Sequence, residues 1–69
     1  TTMDNVEKAR IRMEHWIEHN DQHEQEYEAL AQELEQADKK ESAAEVRAMK
    51  ELTAKGSQHL RQAVALLQG

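Results

Sequence analysis

The sequence predicts an all-α protein, an antiparallel hairpin of two long helices over about residues 3–37 and 42–68. The chain of 69 residues contains no Pro, no Cys and no Phe, and only two Gly. Its commonest residues, among them Glu, Gln, Ala and Leu, favour helices over strands. A chain of this length is expected to form one helical domain, residues 1–69, near the lower limit for a self-sufficient core.

The first helix is predicted from residues that recur every seven positions. The repeat consists of Val6, Met13, Asn20, Tyr27 and Leu34, with Ala9, Trp16, His23 and Leu30 three residues after the first four. This spacing marks one side of a helix that packs against another helix. Thr2 is the expected N-cap, with Asp4 in the first turn. A break near Asn20-Asp21 would give a three-helix bundle instead, but the repeat crosses that point without a change of phase.

The second helix shows the same alternation of three and four residues. Its members are Val46, Met49, Thr53, Gly56, Leu60, Ala63 and Leu67. Ser42-Ala43-Ala44-Glu45 matches a capping box, and Asp38-Lys39-Lys40-Glu41 is a second candidate for the start. Because Gly56 is costly inside a helix, it is expected to make room for a large residue opposite.

A short connection makes the two helices antiparallel neighbours. Packing is expected from Trp16, Ile17, Tyr27, Leu30, Val46, Leu60 and Leu67. An isolated hairpin buries little, and the apolar stripe widens on a flank formed by Ile17, Ala31, Ala43 and Val64. We expect that flank to bury against a third helix or a second copy, most simply in a homodimeric four-helix bundle.

The charge distribution narrows the range of partners. The net charge is −5, and residues 13–38 hold nine acidic residues without any Lys or Arg. Nucleic acid is therefore a poor partner for the first half. Residues 39–69 carry a surplus of three positive charges, so the two halves should attract each other or a copy of each other. No apolar run is long enough for membrane insertion, and a cytoplasmic location is expected.

Three of the four histidines stand four residues apart, at His15, His19 and His23. At about 1.5 Å rise per residue the outer two lie about 12 Å apart, so one ion cannot bind all three. His19 and His23 form the best chelating pair for a divalent metal such as nickel, cobalt or zinc. The other interpretation of His23 is an interior residue that is hydrogen-bonded to Asn20 or Thr53.

The partner of this pair depends on the register of the hairpin. If the turn centres near residue 38 or 39, His59 faces His19, and Glu26 lies nearby. If the turn centres near residue 41, His59 faces Glu26 instead. The predicted metal ligands are accordingly His19, His23, His59 and Glu26.

Catalysis is not expected. His15-Trp16-Ile17-Glu18-His19 matches the inverted zinc-protease pattern H-x-x-E-H, but a protease needs a third ligand, a cleft and a much larger body. The Glu-x-x-His motif of di-iron bundles is absent, and so are a thiol and a Gly-rich phosphate loop. The chain is therefore not expected to be an enzyme.

The run from Trp16 to Tyr27 resembles the signature W-I-E-H-N-x-x-H-x-x-x-[FY]. This signature is carried by a family of small, uncharacterised archaeal and bacterial helical proteins, some of them labelled as associated with nickel or cobalt transport. The resemblance implies a second helix toward the C-terminus. In those relatives Tyr often stands at the position of His15 and Ala at that of Gly56, while His59 has no counterpart.

The leading hypothesis is a small, non-catalytic interaction or accessory domain that self-associates. The alternative is a divalent transition-metal binding protein that uses the His19 and His23 pair.

Overall fold

The computed structural model describes residues 4–67, which form two antiparallel helices. α1 spans Asn5–Gln36 and α2 spans Lys40–Leu67, and the two pack against each other along their length. The predicted all-α hairpin is thereby confirmed. The expected ends of the helices at residues 3 and 68, and the expected cap Thr2, lie outside the described residues.

Asp4, which was expected in the first turn, is the residue that caps α1. Its backbone is extended, and its carboxylate accepts a hydrogen bond from the backbone N–H of Glu7 at 2.8 Å. The predicted cap was two residues too early, because Thr and Asp both satisfy the chemistry of an N-cap. Capping by Asp also places a negative charge at the positive end of the helix dipole.

The turn between the helices is built as a Schellman motif. The N–H of Lys39 donates to the carbonyl of Leu34 at 2.8 Å, and the N–H of Asp38 donates to that of Glu35 at 3.0 Å. Asp38 adopts φ of 63°, the left-handed conformation that this motif requires. Asp is one of the few residues other than Gly that adopts this conformation routinely.

Both predicted capping boxes for α2 are wrong. The helix begins at Lys40, and the N–H of Ala43 already bonds to the carbonyl of Lys39 at 3.0 Å, so Ser42 lies inside the first turn. Asp38 cannot cap α2 either, because it is committed to the left-handed position that ends α1.

Both helices are continuous. α1 has no break near Asn20-Asp21, so the three-helix alternative is wrong. α2 runs through Gly56 as predicted, but a methyl group built on Gly56 would meet nothing within 4 Å. The expectation that this glycine makes room for a bulky neighbour is therefore wrong for the hairpin itself.

Each helix is rotated about its own axis relative to the prediction, so that a different side of it contacts the other helix. Ala31 and Ala43 are 0% exposed, and Ile17 and Val64 are half-buried, so the flank expected to meet another molecule lies between the two helices. Trp16, Leu30 and Leu67, expected in the packing, are exposed instead. On α1 the sequence offers two apolar stripes, one with Trp16 and Leu30 and one with Ile17 and Ala31, and both lie beside Tyr27. The helices use the stripe with the smaller residues, which permits close approach.

The hairpin is a single layer of two helices. Its Cα atoms span 56 × 21 × 11 Å, so within residues 4–67 no third element covers either broad side. The accessible surface is 5518 Å². A compact monomer with this mass of 8.0 kDa would expose about 4,450 Å². The chain thus exposes about 1,000 Å² more than a globular fold of its size.

Candidate functional site

The two broad sides of the hairpin follow from helix geometry. Successive residues are about 100° apart around a helix. Seen from Ala31, which faces α2, Glu28 lies about 60° to one side and Leu30 about 100° to the other. Seen from the buried Ser57 on α2, Arg61 lies about 40° to one side and Met49 about 80° to the other.

The first broad side is a charged face, on which ion pairs link the helices. Glu28 accepts hydrogen bonds from Arg47 at 3.0 and 3.3 Å and from Lys50 at 3.0 Å. Arg47 also donates to Glu35 at 2.7 Å, and Arg61 donates to Asp21 at 3.3 Å. We define the charged face by Asp21, Glu28, Glu35, Arg47, Lys50 and Arg61.

Glu28 is the centre of this network. The hydrogen bond from Arg47, followed by those from Lys50 and Gln32, lowers the pKa of Glu28 from 4.5 to about 2. The Arg47 hydrogen bond likewise lowers the pKa of Glu35. In return, Glu35 first and then Glu28 raise the pKa of Arg47. Glu28, Glu35 and Arg47 are therefore ionised at neutral pH, and their charges find partners within the chain.

The second broad side is apolar and has no such partners among the described residues. Trp16 is 49% exposed, Met49 48% and Leu52 63%. We define the apolar face by its large exposed side chains Trp16, Leu30, Met49, Leu52 and Leu66. Only two hydrophobic residues of the described chain, Ala31 and Ala43, are fully buried.

Three histidines share the apolar face. His23 stands seven residues after Trp16 and seven before Leu30, and His59 stands seven after Leu52 and seven before Leu66. Since seven residues bring a helix back to almost the same side, each of these two histidines interrupts an apolar stripe at its middle. His19 lies one turn before His23.

The structure brings His19 and His23 together. Their Nε2 atoms are 2.9 Å apart, and the rings meet edge to face with centroids separated by 4.4 Å. The ring of His23 stacks on that of Tyr27 at 5.9 Å. Glu26 approaches the other nitrogen of His23, with Oε2 3.3 Å from Nδ1.

These contacts suit a pair of metal ligands. Glu26 lies beside Nδ1 of His23, on the side of the ring away from His19, where carboxylates commonly stand next to metal-bound histidines. Two nitrogens that bind one ion at about 2.0–2.1 Å stand roughly 2.9–3.4 Å apart. The separation of 2.9 Å lies at the lower end of this range, where the angle at the ion is about 90°, and it is also the length of a hydrogen bond between the two rings. The pair provides two ligands, and a stable site needs at least one more.

That third ligand is not supplied within the described chain. Residues 4–67 contain no group of three or more His, Asp or Glu side chains placed to bind one ion. His59 is exposed, and Glu26 faces the nitrogen of His23 that points away from His19. His15 is exposed on the back of α1, as the spacing predicted.

The register of the hairpin agrees with a turn near residue 38 or 39. Glu28 pairs with Lys50, and counting nine residues back from the first and nine forward from the second leads to His19 and His59. The two histidines therefore lie at about the same level along the hairpin. They are on the outer parts of the apolar face, so their side chains point away from each other.

The interior interpretation of His23 is wrong. The side chain is 39% exposed, and its partners are His19, Glu26 and Tyr27. Thr53, one of the expected partners, donates its hydroxyl to the carbonyl of Met49 instead. The rotation of the helices that exposed Trp16 and Leu30 also exposed His23, because all three belong to one stripe.

Sequence reasoning missed the ion pairs of the charged face. A signal was present, since Asp21, Glu28 and Glu35 are spaced by seven residues and run beside the buried stripe. Because α1 carries nine acidic residues, this spacing did not stand out. Asp21, Glu28 and Glu35 can be selected from the nine only when the side of α1 that faces α2 is known.

A comparison with known protein families identifies the chain. Residues 9–67 match the family described as "Domain of unknown function (DUF8180)". The chain belongs to this family. The match includes most of α1, all of α2 and all four histidines. No curated protein and no solved structure matches the chain. Within residues 4–67, neither helix is long and apolar enough to cross a membrane.

Proposed function

We propose that this family member is a non-catalytic interaction domain that self-associates through its apolar face into a four-helix bundle. The observation that carries the proposal is the exposure of Trp16, Met49 and Leu52 on one side of a single-layer hairpin. A cytoplasmic location and the W-I-E-H-N-x-x-H-x-x-x-[FY] signature as a mark of archaeal and bacterial relatives are parts of the same proposal.

The size of the exposed surface supports a second copy as the occupant. The hairpin exposes about 1,000 Å² more than a compact monomer would, and a standard interface buries about 800 Å² per partner. Covering the apolar face with another hairpin would bring the chain close to the surface expected of a globular protein. It would also protect a patch that monomeric proteins seldom leave in water.

The charges of the helices support the same occupant. α1 carries nine acidic and three basic residues, whereas α2 carries three acidic and five basic residues. A two-fold axis parallel to the helices places α1 of each copy beside α2 of the other. Every pair of neighbours in the bundle then has opposite net charge. An axis across the helices would place the two acidic helices side by side, which is unfavourable.

Sedimentation equilibrium at several protein concentrations tests the proposal. The wild type should approach twice the chain mass of 8.0 kDa as the concentration rises. Met49→Glu should hold the protein at the monomer mass, because Met49 is 48% exposed and the substitution puts a charge in the centre of the apolar face. Ile11→Glu is the matched control, since Ile11 is 43% exposed but lies on the back of α1. A wild type that remains a monomer at all concentrations would contradict the proposal.

A second candidate function, binding of a divalent metal ion, is favoured by the 2.9 Å separation of the His19 and His23 nitrogens. Imidazole ligands suit zinc, nickel and cobalt. Calorimetric titration with zinc and nickel should show binding that the double substitution His19→Ala/His23→Ala abolishes. Equal heats for both proteins would exclude this function.

A further inference from the structure

We propose that a second copy of the chain completes a metal site, in which His19 and His23 of one copy are joined by His59 of the other. The ligand is a divalent transition-metal ion such as zinc. This inference rests on the proposed self-association and adds the residue that crosses the interface. By symmetry each dimer contains two such sites.

The first support is the position of the histidines on the apolar face. His23 lies in the stripe of Trp16 and Leu30, and His59 lies in the stripe of Leu52 and Leu66. A partner that covers these apolar residues also covers His23 and reaches His19 and His59 at the outer edges of the face. Polar side chains that an interface removes from water need partners of their own, because burying them alone is unfavourable.

The second support is the level of the residues along the bundle. The Glu28–Lys50 pair places His19 and His59 at about the same level in the hairpin. A two-fold axis parallel to the helices preserves that level in the second copy. It also places α1 of one copy beside α2 of the other. The outer part of the apolar face on α1, with His19, then meets the outer part on α2, with His59 of the second copy.

The third support is the chemistry of the incomplete site. His19 and His23 already hold two nitrogens 2.9 Å apart, and the carboxylate of Glu26 lies 3.3 Å from the other nitrogen of His23. Three imidazoles with water in the fourth position form a common zinc environment. Within one hairpin the described residues do not provide this set, because His59 points away from the pair. The geometry is thus that of a half-site, which a second chain can complete.

Zinc titration of single variants gives the first test. The wild type should bind one zinc ion per chain. His59→Ala should weaken zinc binding at least about tenfold, since the loss of an outer-shell partner alone costs 10–100-fold. His15→Ala, a histidine on the same helix that faces outward, should bind zinc like the wild type. Unchanged zinc affinity in His59→Ala would overturn the proposal.

Mixing two defective proteins tests whether the ligands come from different chains. His19→Ala/His23→Ala lacks the pair, and His59→Ala lacks the third ligand. A heterodimer of the two contains one complete site, so the mixture should regain tight zinc binding at about one ion per two chains. A site formed within one chain predicts no recovery, and that result would overturn the proposal.

Sedimentation of the same samples separates this inference from the self-association on which it rests. Dimers that form without zinc, combined with full zinc affinity in His59→Ala, would remove the metal site and leave self-association intact. Monomers with and without zinc would overturn both. The expected result is a dimer whose dissociation constant falls at least about tenfold when zinc is added, and falls less in His59→Ala, because a ligand bound only by the assembled state favours assembly.

Discussion

The charged face and the apolar face are the two broad sides of one hairpin, yet only the first is complete within the chain. On the charged face, Arg47 bridges Glu28 and Glu35, and Arg61 reaches Asp21. On the apolar face, nothing in the described part of the chain covers Trp16 and Leu52. The comparison indicates that the charged face sets how α1 and α2 align, whereas the apolar face is available for another molecule.

The two faces also differ in how much their side chains can contribute to stability. Exposed ion pairs contribute little to stability, because the charges are well solvated when they are apart. Apolar side chains gain much more from burial, on the order of 25 cal/mol for each Å² removed from water. A partner on the apolar face would consequently contribute more to the stability of the hairpin than the whole charged face does.

The largest effect is expected where the two faces meet, at the buried residue Ala31. Ala31→Leu adds a side chain where the exposure is 0%, so the helices must separate and both faces are distorted. We expect a loss of about 1–3 kcal/mol in the free energy of unfolding, measured by urea denaturation followed by circular dichroism. Ala29→Leu, at an exposed position of the same helix, is the control and should change little. Equal effects of the two substitutions would show that the helices do not pack at Ala31.

An intermediate effect of opposite sign is expected at Ser57. Its side chain is 0% exposed, and its hydroxyl has no hydrogen-bond partner among the described residues. Ser57→Ala should raise the free energy of unfolding by about 1 kcal/mol, because a buried polar group without a partner is removed. Thermal unfolding measures the change. Ser42→Ala, an exposed serine near the start of α2, should have a smaller effect. Destabilisation by Ser57→Ala would mean that the hydroxyl has a partner in solution.

The smallest effect is expected on the charged face, and it depends on pH. Because the folded chain lowers the pKa of Glu28 from 4.5 to about 2, the ionised side chain stabilises the fold above pH 4.5. This contribution is lost as the pH falls from 4.5 toward 2. Glu28→Gln should therefore lower the melting temperature slightly at pH 7 and make no difference near pH 2. Glu33→Gln, an exposed acid on the same helix, is the control. A difference between Glu28→Gln and wild type that persists unchanged at pH 2 would contradict the role given to Glu28.

The sequence was sufficient to predict the hairpin, but not the rotation of each helix about its own axis. The repeat of seven and the lack of breakers predicted two continuous helices, and the short loop predicted their antiparallel order. The choice between the stripe of Trp16 and the stripe of Ala31 depends on how closely two backbones approach, which is a property of the pair of helices. Hydrophobicity favoured the larger residues, whereas close packing selected Ala31, Ala43 and Ser57.

Only part of the candidate site could be predicted from the sequence. The spacing of four residues predicted that His19 and His23 would meet, since side chains one turn apart lie side by side. The contact between Glu26 and Nδ1 of His23 depends on the rotamers of both side chains, which the sequence does not determine. The direction of His59 depended on the rotation of α2, which the sequence left undecided. Whether these residues bind metal stays a prediction.

The three-residue turn also decides how the hairpin responds to mechanical force. Because the helices are antiparallel, Asp4 and Leu67 lie at the same end of the molecule. A pull on these two ends separates the helices one turn at a time from the open end, as in opening a zipper. The Asp21–Arg61 pair would break before the cluster around Glu28, which lies nearer the turn. Because the force acts on only a few contacts at a time, we expect the isolated hairpin to unfold at low force. The Schellman turn at Asp38 should be the last part to unfold.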